Sequence, residues 1–345
     1  MNYTTLPNTD IKISKICLGT MTFGEQNTEA EAHEQMDHAF EKGINFFDTA
    51  EMYSVPGRKE TQGSTEKILG TWFKKTGKRD QIVLATKIAG PNPGLAYIRE
   101  NMDFSPESIA LSIDKSLTRL QTDYIDLYQL HWPERKTNFF GQRGFKVQDD
   151  AWQDNIHSVL ETLKSFIKQG KINHIGLSNE TPWGIMRFLE ESKYHNLPKI
   201  KTIQNPYSLL NRLFENGSTE ICMRENVGLL AYSPLAFGIL SGKYLTSEKL
   251  PNARLNLFPQ FSRYNSTQCA DATRLYEKIA QNHGLTLTQM ALAFVTQQAF
   301  VSSNIIGATT MEQLKENIAS IDVFLSDEII KEINGVQAII PDPAP

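Results

Sequence analysis

The chain alternates short apolar runs with longer segments of helical period. The eight apolar runs are KICLG (15–19), INFFD (44–48), QIVLATK (81–87), DYIDLYQLH (123–131), KINHIGLSN (171–179), KTIQN (201–205), GLLAYSP (228–234) and NIIGA (304–308). Amphipathic segments separate the first six runs and cover residues 29–41, 65–75, 106–120, 151–168 and 183–193. Strands that are apolar at successive positions and separated by helices are typical of a parallel sheet buried on both faces. Eight such units predict an α/β fold closed into a (β/α)8 TIM barrel.

Other segments predict additions to this barrel. Residues 1–14 alternate polar and apolar positions and predict a hairpin that caps the barrel. Residues 133–148 and 236–266 are long irregular connections rich in aromatics, which predicts ordered loops on the C-terminal face. The chain ends in DPAP, which cannot be helical. No internal repeat or linker is visible, so we expect a single domain over residues 1–345.

An open, doubly wound sheet is the alternative architecture for this pattern. Its nucleotide-binding fingerprint, GxGxxG, should follow the first strand. Here the first apolar run leads into GTMTFG (19–24), in which the spacing of the glycines is different. The sequence therefore disfavours a Rossmann site.

Composition and charge narrow the function classes. A formal charge of −4 without a basic cluster makes nucleic acid an unexpected partner. No stretch has the apolar length needed to cross a bilayer, and the first 15 residues lack the pattern of a secretion signal, so we expect a cytoplasmic protein away from membranes. Cys17, Cys222 and Cys269 are far apart and fit neither a disulfide framework nor a zinc site. We expect reduced cysteines that serve packing.

Four polar residues lie at or just beyond the ends of apolar runs. Asp48, Lys87 and His131 each end a run, and Tyr53 lies five residues after Asp48. Because the carboxyl ends of barrel strands meet at one rim, we expect the four side chains to lie together. Taken singly, each has an ordinary structural explanation: a capping aspartate, a lysine reaching solvent, a packed tyrosine and a structural histidine.

Taken together, the four residues predict carbonyl reduction. A tyrosine with an ordinary pKa of about 10 holds its proton too tightly for efficient donation near neutrality. Lys87 would favour the phenolate and so lower the pKa of Tyr53, while Asp48 would keep Lys87 charged and oriented. His131 would hydrogen-bond the substrate oxygen or orient Tyr53 towards it.

The segments that carry these residues resemble the aldo-keto reductase family. GINFFDTAEMY (43–53), QIVLATK and DYIDLYQLHWP (123–133) are similar to the family's strands with the catalytic Asp and Tyr, the Lys and the His, in that order. The resemblance covers essentially the whole chain. It implies a (β/α)8 barrel on which a reduced nicotinamide transfers a hydride to a small-molecule carbonyl substrate, without a metal.

The resemblance also implies a set of cofactor-binding residues. Ser178, Asn179 and Gln204 would hold the nicotinamide carboxamide, and Tyr232 would stack on the ring. The other residues implied are Ser233, Pro234, Leu235, Ala236 and Lys243 along the pyrophosphate, Gly307, Thr309, Gln313, Glu316 and Asn317 around the adenosine, and Thr20, Met21, Gln26 and Asp48 elsewhere in the cofactor site. Arg254 would pair with a 2′-phosphate, since a guanidinium is well shaped for phosphate, which favours NADPH over NADH.

The substrate side departs from many members of the family. The stretch SVPGRKETQGSTEK (54–67) is longer than usual, and residues 135–148 enlarge the loop after His131. Both features resemble the bacterial Tas-like branch and, more distantly, the β subunits of voltage-gated potassium channels. We expect Trp132, Phe139 and Phe140 to complete a pocket for small or medium aldehydes and ketones.

Two other functions remain as alternatives. A regulatory protein that binds NADPH tightly and turns over slowly is compatible with all four catalytic residue types. A metal-dependent barrel hydrolase needs several histidines and carboxylates at strand ends, and only His131 and Asp48 fit, so we expect no metal. The sequence leaves the oligomeric state open.

Overall fold

The computed structural model describes residues 1–145, 151–246 and 250–344. The strands are β1 (Tyr3–Thr5), β2 (Lys12–Ser14), β3 (Ile16–Gly19), β4 (Phe46–Asp48), β5 (Val83–Ile88), β6 (Ile125–Leu130), β7 (Ile172–Ser178), β8 (Thr202–Pro206), β9 (Gly228–Tyr232) and β10 (Val301–Ile306). The α-helices are α1 (Glu29–Glu41), α2 (Ser64–Thr76), α3 (Pro106–Leu120), α4 (Ile156–Lys168), α5 (Pro182–His195), α6 (Ser218–Glu225), α7 (Arg254–Leu257), α8 (Thr267–Asn282), α9 (Leu287–Thr296), α10 (Met311–Ala319) and α11 (Asp327–Ile339).

Strands β3 to β10 form a closed parallel barrel in which β10 pairs with both β3 and β9. Each of the eight predicted apolar runs carries one of these strands, so the predicted (β/α)8 architecture is confirmed. Strands β1 and β2 pair antiparallel, which confirms the predicted hairpin.

The barrel interior is filled by apolar side chains from alternate strand positions. This cluster consists of Leu6, Ile13, Cys17, Phe46, Val83, Ala85, Leu127, Leu230 and Ile305. Leu6 and Ile13 come from the hairpin, so the hairpin fills the amino end of the barrel. Asn45 fixes it there, because its side chain accepts a hydrogen bond from the Ser14 amide at 2.8 Å and donates one to the Lys12 carbonyl at 2.9 Å. The hairpin therefore caps the barrel, as predicted.

The outer helices begin where the sequence supplies caps. Thr28 and Glu31 form a reciprocal capping box at the start of α1, and Ser105 caps α3 ahead of a proline at its first position. The predicted start of α4 was wrong: the helix begins at Ile156, not at residue 151. The Asp154 side chain accepts a hydrogen bond from the Ile156 amide at 3.1 Å, and such local bonds favour a turn over continued helix.

Two irregular segments lie at the carboxyl end of the barrel. Residues 133–145 contain neither helix nor strand, and residues 236–246 and 250–266 form short helical turns with contacts between aromatic rings. Arg143 donates to the carbonyls of Asp342 at 3.1 Å and Pro343 at 2.8 Å, so the 133–145 segment is tied to the non-helical chain end. The remainder of the two predicted loops, 146–148 and 247–249, lies outside the described residues.

The three cysteines are buried and free, as predicted. Among the described residues, no helix has the length and apolar character needed to cross a membrane.

Candidate active site

The carboxyl end of the barrel opens into a cleft of about 1330 Å³. This exceeds the roughly 300–1000 Å³ typical of a site for one small ligand and leaves room for two ligands side by side. The predicted site residues that line it are Thr20, Met21, Gln26, Asp48, Tyr53, His131, Trp132, Phe140, Ser178, Asn179, Gln204, Tyr232, Ser233, Pro234, Leu235, Lys243, Arg254, Gly307, Thr309, Gln313, Glu316 and Asn317.

Three predicted site residues are absent from this lining. Lys87 is fully buried behind Asp48 and Tyr53. Ala236 is fully buried in a tight turn, in which its amide donates to the Ser233 carbonyl at 2.9 Å. Phe139 packs on Phe140, with ring centroids 5.0 Å apart, and against the apolar cluster beneath it. The direct ligand contacts predicted for Ala236 and Phe139 stay predictions.

Asp48 and Lys87 form an ion pair that is closed to solvent. The Lys87 ammonium donates to Asp48 Oδ2 and to the Thr49 carbonyl, both at 2.6 Å. The other carboxylate oxygen of Asp48 accepts from the side-chain amides of Gln129 at 3.2 Å and Gln204 at 2.8 Å. Burial acts most strongly and lowers the pKa of Lys87, but Asp48 and Tyr53 together outweigh it and the pKa is raised above its ordinary value. Lys87 therefore stays charged at neutral pH.

Tyr53 lies against this pair. The Lys87 ammonium is 4.9 Å from the centroid of the Tyr53 ring. Burial raises the pKa of Tyr53 above its ordinary value, and the nearby charge of Lys87 acts in the opposite direction without cancelling that effect. The influence of Lys87 on the pKa of Tyr53 has the predicted sign, but desolvation is the larger effect and the pKa is raised.

His131 faces Tyr53 across the floor of the cleft, with ring centroids 5.7 Å apart and planes at 74°. Burial and then the charge of Lys87 lower the pKa of His131 well below its ordinary value. The imidazole is therefore neutral at pH 7, with one donor and one acceptor nitrogen. Nδ1 is buried without a hydrogen-bond partner in the described part of the chain.

A second group of hydrogen bonds fixes the wall opposite Tyr53. The Tyr232 hydroxyl donates to Asn179 Oδ1 at 2.6 Å, and the Asn179 amide nitrogen donates to the His131 carbonyl at 2.9 Å. Arg263 donates to the Tyr232 hydroxyl at 3.3 Å. Arg263 lines the cleft, yet sequence reasoning missed it. The sequence offered one indication, because Arg263 lies in the same long connection, residues 236–266, as Arg254.

Lys243 and Arg254 bring positive charge into the cleft. Within the described ranges neither has a carboxylate at ion-pair distance. Their cationic groups lie over aromatic rings, Lys243 at 5.3 Å from the Tyr244 centroid and Arg254 at 5.6 Å from that of Phe237. Burial lowers the pKa of both, and Arg254 lowers that of Lys243 further. Because buried charges are usually paired, this arrangement suits an anionic ligand.

The start of α10 forms the far end of the cleft. The Thr309 amide and hydroxyl donate to Gln313 Oε1 at 3.0 and 3.1 Å, and the Asn317 side chain donates to the Gly307 carbonyl at 3.2 Å. Glu316 accepts from the Thr286 hydroxyl at 2.8 Å. The predicted adenosine residues thus form one preorganised surface.

Apolar residues surround the mouth next to Trp132. The Trp132 indole donates to the Pro91 carbonyl at 3.1 Å and packs directly on Gly90, where a Cβ would lie 2.6 Å from the ring. Met52 and Leu95 line the cleft here and were missed from the sequence. Both follow barrel strands, so the rule that strand-to-helix loops build barrel sites could have found them.

The barrel and its rim define the class of this protein. The sequence model of the Aldo/keto reductase family matches residues 15–338, so the chain belongs to the aldo/keto reductase family of oxidoreductases. It is similar to Protein tas of Escherichia coli (strain K12), with 49% identity over 100% of both chains. It is also similar to Uncharacterized oxidoreductase YrpG of Bacillus subtilis (strain 168), with 33% identity over 97% of this chain and 96% of the relative. Norsolorinic acid reductase stcV of Emericella nidulans is 30% identical over 95% of this chain and 79% of its own. The predicted Tas-like resemblance is confirmed, whereas the likeness to channel subunits stays a prediction.

Proposed function

We propose that this protein is an NADPH-dependent reductase of aldehydes and ketones, with Tyr53 as the general acid. The observation that carries the proposal is the buried Asp48–Lys87 ion pair, which lies against Tyr53 at the floor of a cleft. A charged lysine with no access to solvent has its full electrostatic effect on the neighbouring phenol, because little water screens it.

Each of the four residues has one role in the proton transfer. NADPH, when bound, supplies the hydride to the carbonyl carbon. Tyr53, whose raised pKa keeps it protonated, donates its hydroxyl proton to the carbonyl oxygen, and Lys87 stabilises the phenolate that remains. Asp48 holds Lys87 charged and in place. His131, as a neutral imidazole, donates a hydrogen bond to the same oxygen.

The residues along the cleft fit a phosphorylated dinucleotide. Lys243 and Arg254 offer positive charge without carboxylate partners in the described chain, which suits the phosphates. Tyr232 is held by Asn179 and Arg263, so its ring offers a fixed flat surface for a nicotinamide. The charge of Arg254 supports NADPH over NADH, since only NADPH carries the extra phosphate.

The mouth of the cleft supports small or medium carbonyl compounds with apolar substituents. Met52, Leu95, Trp132 and Phe140 all supply apolar surface to this part of the cleft. The name of the Emericella relative, a reductase, is consistent with carbonyl reduction.

A regulatory role with slow turnover is the second candidate. It is favoured by the raised pKa of Tyr53, because a weaker acid donates its proton more slowly. In that case the protein would retain NADPH and reduce every carbonyl compound only slowly.

The deciding experiment follows NADPH absorbance with a nitrobenzaldehyde, methylglyoxal and a quinone, in wild type and in Tyr53→Phe. We expect the variant to lose about 10²–10⁴-fold in turnover, the usual contribution of a general acid, and to bind NADPH as before. Tyr124→Phe is the matched control, because its hydroxyl bonds Asp80 at the amino end of β6, on the opposite side of the barrel. Retained activity in Tyr53→Phe would refute the assignment, and tight NADPH binding without turnover in wild type would favour the regulatory role.

A further inference from the structure

Helices α4 and α5 bring two histidines and a glutamate together outside the catalytic cleft. The potential ligand atoms of His157, Glu191 and His195 all lie within 4.8 Å of one another. His157 Nδ1 is 2.7 Å from Glu191 Oε1, and His195 Nε2 is 3.3 Å from the same oxygen. The two imidazole rings are in edge-to-face contact, with centroids 4.9 Å apart and planes at 88°.

The two helices fix this arrangement. Glu191 and His195 are four residues apart on α5, which places them on one face of the helix. His157 comes from the first turn of α4, which packs beside α5. The side chain of Glu191 is only 7% exposed, whereas those of both histidines are 52% exposed. The carboxylate is therefore held firmly while both rings can adjust and are open to solvent.

The rest of the local network orients the carboxylate. Arg187 donates to Glu191 Oε2 at 2.6 Å, and Asp154 accepts from Arg187 at 2.8 Å. This leaves Oε1 directed at the two imidazoles. The charges of Arg187 and Asp154 offset each other, so with neutral imidazoles the cluster carries the single negative charge of Glu191. Outer partners of this kind orient the ligands at metal sites.

We propose that His157, Glu191 and His195 bind a divalent transition-metal ion of the zinc class. Two imidazoles and one carboxylate are a known ligand set for zinc, with the fourth position left to water. Zinc bonds of about 2.0–2.1 Å in a tetrahedron place ligand atoms about 3.4 Å apart. The His195–Glu191 separation of 3.3 Å already fits this spacing. The His157–Glu191 separation of 2.7 Å must open by about 0.7 Å, and the two imidazole nitrogens, which lie within 4.8 Å of each other, must come to the same spacing. The 52% exposure of both histidine side chains permits these adjustments.

The bound ion joins α4 to α5 and stabilises the folded chain, because it binds the native arrangement and not the unfolded one. None of its three ligands lines the catalytic cleft, so the site is independent of the proposed reductase activity. From the sequence we expected no metal because we considered only histidines and carboxylates at the ends of strands. These ligands lie on helices, and the pairing of α4 with α5 is what assembles them.

The test is titration of chelator-treated full-length protein with zinc by calorimetry, together with the visible spectrum of the cobalt complex. We expect one strong site per chain, and we expect His157→Ala/His195→Ala to lower zinc affinity at least about tenfold, which is the smallest loss that removal of an outer partner alone causes. His283→Ala is the matched control, because His283 forms a single histidine–glutamate pair with Glu332 at 2.9 Å and should leave zinc binding unchanged.

Thermal unfolding supplies the second readout. Zinc should raise the midpoint of wild type and His283→Ala, and not that of the double variant. The absence of a one-to-one site in wild type would overturn the proposal. So would a double variant that folds normally by circular dichroism and loses less than tenfold in zinc affinity.

Discussion

The Asp48–Lys87 ion pair makes a stability prediction that is independent of any ligand. In Lys87→Met the carboxylate of Asp48 would remain buried with only amide donors from Gln129 and Gln204 at its Oδ1. The two side chains of the pair are 3% and 0% exposed, so little water can replace the lost ammonium. Breaking a buried pair by removing one partner costs about 3–5 kcal/mol in free energy of unfolding.

A surface ion pair with the same distance between its charged atoms supplies the control. Arg224 and Glu220 also approach to 2.6 Å, but their side chains are 75% and 66% exposed. Exposed pairs contribute about 0–1 kcal/mol, so Arg224→Met should change the free energy of unfolding by no more than that. Because the distance between the charged atoms is the same in both pairs, the comparison measures how burial changes the loss in free energy of unfolding.

The assay is urea unfolding followed by far-ultraviolet circular dichroism, without NADPH. The double variant Asp48→Asn/Lys87→Met removes both charges and should be more stable than Lys87→Met alone, since no unpaired charge remains buried. A Lys87→Met loss below 1 kcal/mol, or a double-variant loss equal to the sum of the two single losses, would refute the reasoning.

Three further perturbations test other parts of the site. Arg254→Ala should weaken NADPH binding far more than NADH binding in fluorescence titrations, and equal losses would assign the 2′-phosphate to another residue. The lowered pKa of His131 means that below pH 6.5 the unfolded chain takes up a proton that the folded chain does not, so stability falls with falling pH. Between pH 7.5 and 5.5, wild type should lose more free energy of unfolding than His131→Gln in urea unfolding, and parallel curves would contradict the shift. Gly90→Ala places a Cβ 2.6 Å from the Trp132 ring and 2.8 Å from its carbonyl oxygen, so it should change the KM for carbonyl substrates and cost about 1–3 kcal/mol of stability. An unchanged KM would mean that Trp132 does not shape the pocket.

The hydrophobic pattern was sufficient to predict the barrel because buried parallel strands leave a strong local signal. All eight runs became strands, and helices with clear caps, such as α1 and α3, were predicted with their observed bounds. The start of α4 was misplaced because Asp154 forms a local hydrogen bond that periodicity does not register. The single-domain assignment and the cytoplasmic location stay predictions.

The sequence predicted which residues form the site better than it predicted their pKa values and their exposure to solvent. Strand ends identified Asp48, Lys87 and His131 because a barrel rim collects them. The net pKa of Tyr53 depends on how fully the surrounding chain excludes water, which no local pattern reports. Arg263 and Met52 were missed because loop residues reach the cleft through tertiary packing.

The hairpin at the amino end of the barrel and the tail tied to Arg143 place the two chain ends in different surroundings. A purification tag or reporter fused before Met1 would extend from the amino end of the barrel, which the hairpin fills. The carboxyl end of the described chain, at Asp342 and Pro343, lies beside the 133–145 segment, in which Phe140 borders the cleft. Amino-terminal fusions are therefore the suitable choice for ligand measurements on this protein, because they extend from the end of the barrel away from the cleft.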